Sequence, residues 1–151
     1  MSLFFCLCEK SLFNVILITS MKLNYIKNWL PVILWAGMIF FLSSIPDLRS
    51  GLPNIFDLIL RKIAHSGEFG ILAILLWRAI LSLNFKQSKQ STTNVIVIVI
   101  IIVILYAISD ELHQGFVPGR VTSPIDALID SFGAIIGLVI FLPLQQFSRM
   151  S

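Results

Sequence analysis

The sequence predicts an all-α membrane protein, a bundle of four transmembrane helices with both termini in the cytoplasm. The chain has 151 residues, of which 57% are hydrophobic and 13% are charged, and its mean hydropathy is +0.93. A soluble domain is about a quarter charged, so this balance, with four long apolar stretches, indicates that a bilayer is the solvent. The net charge of +3 fits lysines and arginines beside membrane spans, so we expect no nucleic-acid partner.

The four predicted spans cover approximately residues 29–44, 61–83, 95–114 and 124–142. Prolines and a glycine between residues 46 and 60 predict a turn-rich connection between the first two spans. The third span is so rich in Val and Ile that a buried strand is conceivable. Its length of about 20 residues instead matches a helix that crosses a hydrocarbon core of about 30 Å.

The first twenty residues differ from the rest of the chain. Their apolar stretch, residues 12–18, is too short to span a membrane, and Met21-Lys22 is typical of a bacterial start. Residues 1–20 are therefore either an interfacial helix or an extension from a mis-assigned start, and we favour the extension. The membrane domain is then residues 21–145, followed by a cytoplasmic tail, residues 146–151.

The distribution of basic residues predicts which side faces the cytoplasm. Four spans place both termini and the middle connection on one side. That side holds Lys10, Lys22, Lys27, Arg78, Lys86, Lys89 and Arg149. The other side holds Arg49, Arg61, Lys62 and Arg120. Because cytoplasmic loops carry the excess of Lys and Arg, the termini are predicted to be inside.

Polar residues recur at helical spacing near one end of three spans. They are Arg61, His65 and Glu68 on the second, Asp110, His113 and Gln114 on the third, and Asp126 and Asp130 on the fourth. An ionised group that faces hydrocarbon costs several kcal/mol, or about 3 kcal/mol on insertion scales, so these groups must pair or face water. We therefore predict that they meet in one polar pocket on the outer face.

Three smaller patterns bear on that pocket. Gly133 and Gly137, four residues apart, would let another helix approach closely, which turns the carboxylates of the fourth span towards a neighbour. Pro118-Gly119 predicts a type II turn that directs Arg120 over the mouth of the pocket. Ser43 and Ser44 are expected to bond back to carbonyls of their own helix, with lining of the pocket as the alternative.

Three interpretations of the polar residues remain open at this stage. They could form an ion-pair network that locks the bundle, a ligand pocket, or a metal or hydrolytic site. The pairs His65/Glu68 and Asp110/His113 each place an imidazole and a carboxylate on one face, as in metal-binding bundles or acid–base pairs. No HExxH or cysteine pattern is present, so we expect no metal and no cofactor.

A set of short motifs surrounds these residues. They are Ser43-Ser44-Ile45-Pro46, Arg61-Lys62-Ile63-Ala64-His65 with Glu68-Phe69-Gly70, Ser109-Asp110-Glu111-Leu112-His113-Gln114, Phe116-Val117-Pro118-Gly119-Arg120, and Asp126 with Asp130-Ser131-Phe132-Gly133. In this combination the chain resembles the VanZ-like family of bacterial membrane proteins over approximately residues 30–140. Ser66-Gly67 departs from the family pattern, in which an aromatic residue often follows the histidine.

The resemblance implies a multi-pass protein of the bacterial plasma membrane. The family's founding member raises resistance to teicoplanin, a glycopeptide antibiotic with a lipid tail. We therefore expect a non-enzymatic pocket that binds an anionic envelope component, such as a lipid precursor, or the glycopeptide, and lowers antibiotic susceptibility. The predicted ligand-binding residues are Arg61, Lys62, His65, Glu68, Asp110, Glu111, His113, Gln114, Arg120, Asp126 and Asp130.

Within that set, Arg61, Lys62 and Arg120 would hold the anion, because cationic side chains, and the guanidinium above all, bind phosphate and carboxylate groups. One alternative is a hydrolase or transferase acting on a lipid phosphate headgroup, with His65, Glu68, Asp110 and His113 as catalytic candidates. A second alternative is a small transporter that uses Glu68 and Asp130.

Overall fold

The computed structural model describes residues 2–46, 54–83, 92–120 and 122–148, and within these ranges the regular structure is entirely α-helical. The four helices are α1 (Ser2–Ser43), α2 (Asn54–Ser82), α3 (Thr92–Gln114) and α4 (Pro124–Ser148). The predicted all-α fold is thereby confirmed.

Each helix contains an apolar segment long enough to cross a membrane. These segments are Leu23–Ser43, Ile55–Ser82, Thr92–Gln114 and Pro124–Gln145. The shortest has 21 residues. At about 1.5 Å per residue, such a helix reaches the roughly 30 Å thickness of a hydrocarbon core.

Helix α2 begins earlier than the sequence pattern indicates. Residues 54–60, predicted as part of the turn-rich connection, form its first two turns. The prolines and the glycine of that connection all precede Asn54. Asp57 lies in the first turn, where a negative charge interacts favourably with the helix dipole. Helix α4 likewise continues past residue 142, with Pro143 inside it.

The helices alternate in direction, so α1 runs parallel to α3, and α2 runs parallel to α4. Near the starts of α2 and α4, Ser66 Oγ donates a hydrogen bond to the carbonyl of Ile129 at 3.2 Å. Near their ends, Trp77 Nε1 donates to Gln145 Oε1 at 3.3 Å. The carboxyl ends of α1 and α3 therefore meet the amino ends of α2 and α4, and we call this the polar end of the bundle.

Which side of the membrane the polar end faces stays a prediction. Six of the eleven basic residues on which the prediction was based lie outside the described side chains, namely Lys10, Lys22, Arg49, Lys86, Lys89 and Arg149.

One face of α3 is buried in the core of the bundle, and the opposite face is exposed. Val95, Val99 and Val103 follow at four-residue spacing and are buried against the other helices. Ile101 and Leu105, on the opposite face, are 52% and 61% exposed. Large exposed apolar surfaces are uncommon in soluble monomers, and here they suit contact with lipid.

Helices α2 and α4 pack backbone against backbone. A Cβ atom added to Gly137 would lie 2.8 Å from the Cα atom of Gly70, and one added to Gly70 would lie 3.0 Å from the carbonyl oxygen of Gly133. The predicted close approach at Gly133 and Gly137 is confirmed, and Gly70 is the residue it meets. Because small residues let helices approach closely, this crossing brings the polar face of α2 beside that of α4.

Candidate functional site

The imidazole of His65 lies among carboxylates from three helices. Its Nδ1 atom is 3.1 Å from Oε2 of Glu68, almost one turn further along α2. Its Nε2 atom is 3.2 Å from Oδ2 of Asp110 on α3 and 3.6 Å from Oδ2 of Asp130 on α4. We call these four residues the acidic cluster. Both aspartates are buried, whereas the His65 and Glu68 side chains are each 21% exposed, so the cluster is most accessible beside these two.

Asp110 connects three helices through one carboxylate oxygen. Its Oδ2 atom accepts hydrogen bonds from Ser43 Oγ at 2.9 Å and from Gln114 Nε2 at 2.8 Å, in addition to facing His65. Ser43 is the last residue of α1, and it is 1% exposed. Hydrogen bonds to a carboxylate are among the stronger ones in proteins, so Asp110 is held in a fixed position.

Two buried carboxylate oxygens of the cluster have no hydrogen-bond partner among the described residues. They are Oδ1 of Asp110 and Oδ2 of Asp130. A buried polar atom without a partner costs about 1–3 kcal/mol, and buried groups of this kind are rare in native proteins. These oxygens therefore mark a place where a proton, a water molecule or a donor group of a ligand would be stabilised.

A tight turn places Arg120 at the polar end. The N–H of Arg120 donates to the carbonyl of Val117 at 3.1 Å, and Gly119 has a φ of +84°. With Pro118 before it, this geometry is that of a type II turn, as the sequence predicts. The chain therefore reverses direction between α3 and α4, and the Arg120 side chain turns back over the bundle.

The guanidinium of Arg120 bonds to neutral acceptors. Nη1 donates to Gln114 Oε1 at 3.0 Å. Nη2 donates to the carbonyls of Leu42 at 3.4 Å and Ile45 at 3.2 Å, at the carboxyl end of α1. In the part of the chain that the structure describes, no carboxylate pairs with Arg120, so its charge is not neutralised. Since Gln114 also donates to Asp110, one side-chain amide joins Arg120 to the acidic cluster.

The other two basic residues predicted to hold an anion each have a carboxylate partner. Arg61 Nε is 3.1 Å from Asp57 Oδ2, and the Arg61 side chain is 43% exposed. Lys62 Nζ pairs with Asp126 at the first turn of α4. Among the three predicted anion-binding cations, Arg120 is thus the one best placed to accept a new anionic partner.

His113 faces α1 instead of the acidic cluster. Its ring stacks on Phe40 with centroids 4.0 Å apart, and its Nε2 atom is 2.9 Å from Ser44 Oγ. The Ser44 hydroxyl donates to the carbonyl of Phe40 at 2.7 Å, so its oxygen can only accept from His113. His113 is three residues beyond Asp110, which is less than one full turn of 3.6 residues. The two side chains therefore leave α3 in different directions and contact different neighbours.

Glu111 holds the start of α4. Its Oε2 atom accepts a hydrogen bond from the backbone N–H of Ser123 at 3.0 Å, and the side chain is buried. Ser123 immediately precedes the helix, and its carbonyl accepts from the N–H of Asp126 at 2.9 Å. Glu111, predicted to bind a ligand, therefore already has a local partner.

The sequence matches the VanZ/LLP1 family over residues 12–145, which is most of the chain. The protein belongs to the VanZ/LLP1 family. No curated protein and no solved structure gives a significant match. The match begins within residues 1–20, which we predicted to be an extension, and that boundary stays a prediction.

The segments by which the sequence resembles VanZ-like proteins come together at the polar end. Residues 61–70 supply His65 and Glu68, residues 109–114 supply Asp110 and Gln114, and residues 116–120 form the turn that carries Arg120. In this VanZ/LLP1 protein the backbone carbonyl and the hydroxyl of Ser66 lie where a Cβ atom on Gly133 would be. Glycine at position 133 therefore lets α4 lie against α2 at Ser66.

The structure places the eleven predicted site residues in three groups. His65, Glu68, Asp110 and Asp130 form the acidic cluster, to which Gln114 and Arg120 are joined by hydrogen bonds. Arg61, Lys62 and Asp126 form ion pairs beside it. Glu111 and His113 contact other elements at the same end.

Four polar residues of this region were not predicted to belong to the site. Ser43, expected to bond back to its own helix, donates to Asp110, whereas Ser44 follows the expectation. Trp35 donates from its indole to the carbonyl of Glu68 at 2.9 Å, and Tyr106 donates to the carbonyl of Ala36 at 2.6 Å. Asp57 is buried at the start of α2. Ser43, Trp35 and Tyr106 lack helical repetition with other polar residues and so give no signal in the sequence. Asp57 does have it, four residues before Arg61, but residues 54–60 were predicted to belong to the connection.

A metal site finds no support in the side chains that the structure describes. No group of three or more His, Cys, Asp or Glu residues within the described ranges is arranged to hold a metal ion. His65 and the three carboxylates nevertheless have the chemistry of an acid–base group, because an imidazole between carboxylates can gain and lose protons.

Proposed function

We propose that this VanZ/LLP1 protein is a multi-pass protein of the bacterial plasma membrane whose polar end faces outward. There it binds an anionic envelope component or a lipoglycopeptide antibiotic and lowers antibiotic susceptibility. The observation that carries the proposal is the position of Arg120. Its guanidinium lies at the polar end without a carboxylate partner among the described residues, whereas Arg61 and Lys62 are paired.

Arg120 suits an anion because its geometry is already fixed. Three hydrogen bonds to Gln114, Leu42 and Ile45 hold the guanidinium in place, while part of its planar donor edge remains unused. A guanidinium can bind a phosphate or a carboxylate through two parallel hydrogen bonds. A preorganised cation loses little conformational entropy on binding, which favours affinity.

The test compares variants of Arg120 in bacteria that express the protein and are challenged with teicoplanin. Arg120→Ala should abolish any protection, and Arg120→Lys should retain part of it, because the charge remains while the planar pair of bonds is lost. Arg61→Ala is the matched control, since Arg61 lies at the same end but is paired with Asp57.

Protein amounts in the membrane fraction must be equal across these variants, because Arg120 also bonds to the end of α1. Protection that is unchanged in Arg120→Ala would refute the role of Arg120. Binding can also be measured directly with the purified protein in detergent. One experiment measures its affinity for teicoplanin, and a separate one measures its affinity for vesicles that contain phosphatidylglycerol. Binding of either probe that is weakened tenfold or more by Arg120→Ala supports the proposal.

A second candidate is a hydrolase or transferase that acts on a lipid phosphate headgroup. The observation in its favour is His65, whose two ring nitrogens each face a carboxylate. His113 is less suited to act as a base, because its Nε2 atom donates to Ser44 Oγ, whose own hydroxyl donates to the carbonyl of Phe40. Turnover of a polyprenyl phosphate that is lost in His65→Ala but kept in His113→Ala would favour this candidate over the binding protein.

A further inference from the structure

The acidic cluster must contain at least two protons if its hydrogen bonds are to form. Nδ1 of His65 faces an oxygen of Glu68, and Nε2 faces an oxygen of Asp110. An ionised carboxylate only accepts hydrogen bonds, so each of these contacts needs one proton between the two atoms. With all three carboxylates ionised, His65 would be an imidazolium, and one positive and three negative charges would leave the cluster at −2.

A net charge of −2 is unfavourable at this position. Asp130 is 3% exposed, and among the described side chains the only cationic group within 4 Å of it is His65 on α2, at 3.6 Å. Asp110 and Glu111 on α3 and Asp126 on its own helix add negative charge around it, whereas the cation Arg120 is joined to the cluster only through the amide of Gln114. Helix α1 contributes no charged group within its described side chains near Ser43. Burying unbalanced charge costs several kcal/mol, which a further proton would reduce.

The two aspartates differ in the number of hydrogen-bond donors that their Oδ2 atoms have. Oδ2 of Asp110 accepts from Ser43, Gln114 and His65, and such donors favour an ionised carboxylate. Oδ2 of Asp130 has no hydrogen-bond donor among the described residues, although it is fully enclosed. A proton on Asp130 would remove one negative charge from an enclosed oxygen that no described donor stabilises.

We infer that the cluster holds a buried proton on Asp130, which exchanges with the surroundings through His65 and the more exposed Glu68. A neutral His65 that carries its proton on Nε2 takes a second proton on Nδ1 from Glu68. It then releases the Nε2 proton to Asp110 or Asp130. The ring ends as the other neutral tautomer with its original number of protons, and Glu68 ends as the carboxylate.

Glu68 is the natural entrance to this path. Its side chain is 21% exposed, whereas those of Asp110 and Asp130 are 1% and 4% exposed. The backbone carbonyl of Glu68 accepts a hydrogen bond from Trp35, which fixes this part of α2 against α1. Among the described side chains, the imidazole is therefore the one group that contacts both the accessible and the enclosed carboxylates. The inference does not depend on what ligand binds at Arg120.

Infrared spectroscopy of the full-length protein in nanodiscs tests the proton directly, because a protonated carboxyl group has its own C=O stretching band. At pH 7 the wild-type protein should show such a band, and Asp130→Asn should remove it. Asn has nearly the shape of protonated Asp, so this variant should fold. Asp126→Asn is the matched control on the same helix, and it should keep the band. Absence of the band from the wild type, or its survival in Asp130→Asn, would overturn the inference.

The exchange path is tested on transfer of the same samples to D₂O, which shifts the band. His65→Gln should keep the band but slow its shift at least tenfold, because Gln cannot relay a proton. His113→Gln is the control, since His113 contacts Ser44 and Phe40 instead of the cluster. An exchange rate in His65→Gln equal to that of the wild type would exclude His65 as the path.

Discussion

Ser43, at the carboxyl end of α1, donates a hydrogen bond of 2.9 Å to Asp110 on α3, and both side chains are almost completely buried. A hydrogen bond to a charged group contributes about 1.5–3 kcal/mol, and its loss leaves a charged acceptor less well satisfied. Ser43→Ala should therefore lower the free energy of unfolding by about this amount. The measurement is unfolding of the purified protein in mixed detergent micelles.

The control for this prediction is Ser109→Ala. Ser109 is exposed, and its hydroxyl bonds locally to the carbonyl of Tyr106 at 2.8 Å. Its replacement should change stability by less than about 0.5 kcal/mol, as is usual for surface positions. Equal effects of the two substitutions would argue against a stabilising contact between Ser43 and Asp110.

The crossing of α2 and α4 predicts opposite effects for two glycines. In Gly137→Ala the new methyl group would lie 2.8 Å from the Cα atom of Gly70, so the helices must separate. We expect a loss of about 1–3 kcal/mol, as for overpacked cores. In Gly67→Ala, on α2, the new methyl group would have no other atom within 4 Å. This variant should leave stability unchanged or raise it by up to about 1 kcal/mol, because Ala favours a helix more than Gly does. Comparable losses in both variants, measured by thermal unfolding in detergent, would contradict the close crossing.

The turn before α4 predicts an order among substitutions of Gly119. Its φ of +84° lies in the left-handed region, and open space surrounds the position, so strain is the main penalty. Gly119→Ala should cost about 1–2 kcal/mol, and Gly119→Asn should cost less, because Asn adopts this region more readily. The same unfolding assay measures both variants. If Ala were tolerated better than Asn, the type II turn would not be the conformation in solution.

The ion pair between Lys62 and Asp126 tests the idea that a charge network locks the bundle. The two side chains are 38% and 27% exposed, so solvent screens their interaction. A double-mutant cycle with Lys62→Met and Asp126→Asn should give a coupling energy below about 1 kcal/mol, as for other exposed pairs. A coupling energy of several kcal/mol would instead assign the polar end a mainly structural role.

Much of this arrangement follows from the sequence because the bilayer constrains it. The four helices follow from the length of the apolar stretches, and the convergence of Glu68, Asp110 and Asp130 follows from the cost of placing carboxylates in lipid. The extra turns of α2 were missed because the connection was predicted to continue past its last proline. The partners of Arg120 include backbone carbonyls, which no pattern of side chains reveals. Glu111 and His113 share a chain segment with Asp110, yet only the packed neighbours decide where each one points.

The orientation of the protein has its own test. If the polar end faces outward, an impermeant thiol reagent added to intact cells should label a cysteine at position 120 but not one at position 89. Both variants need a background in which Cys6 and Cys8 are replaced by Ser. The reverse labelling pattern would place the polar end in the cytoplasm and exclude an extracellular ligand.

Cross-linking in native membranes tests most directly whether charged groups from separate helices meet at one end of the bundle. Lys62→Cys combined with Asp126→Cys, in the background without Cys6 and Cys8, should be joined by a short bifunctional thiol reagent, because the native Lys62 side chain reaches across to Asp126. Lys62→Cys combined with Gln145→Cys should not, since Gln145 lies beside Trp77 at the opposite end. Cross-linking of the second pair but not of the first would contradict the account, because α2 and α4 would then not run parallel.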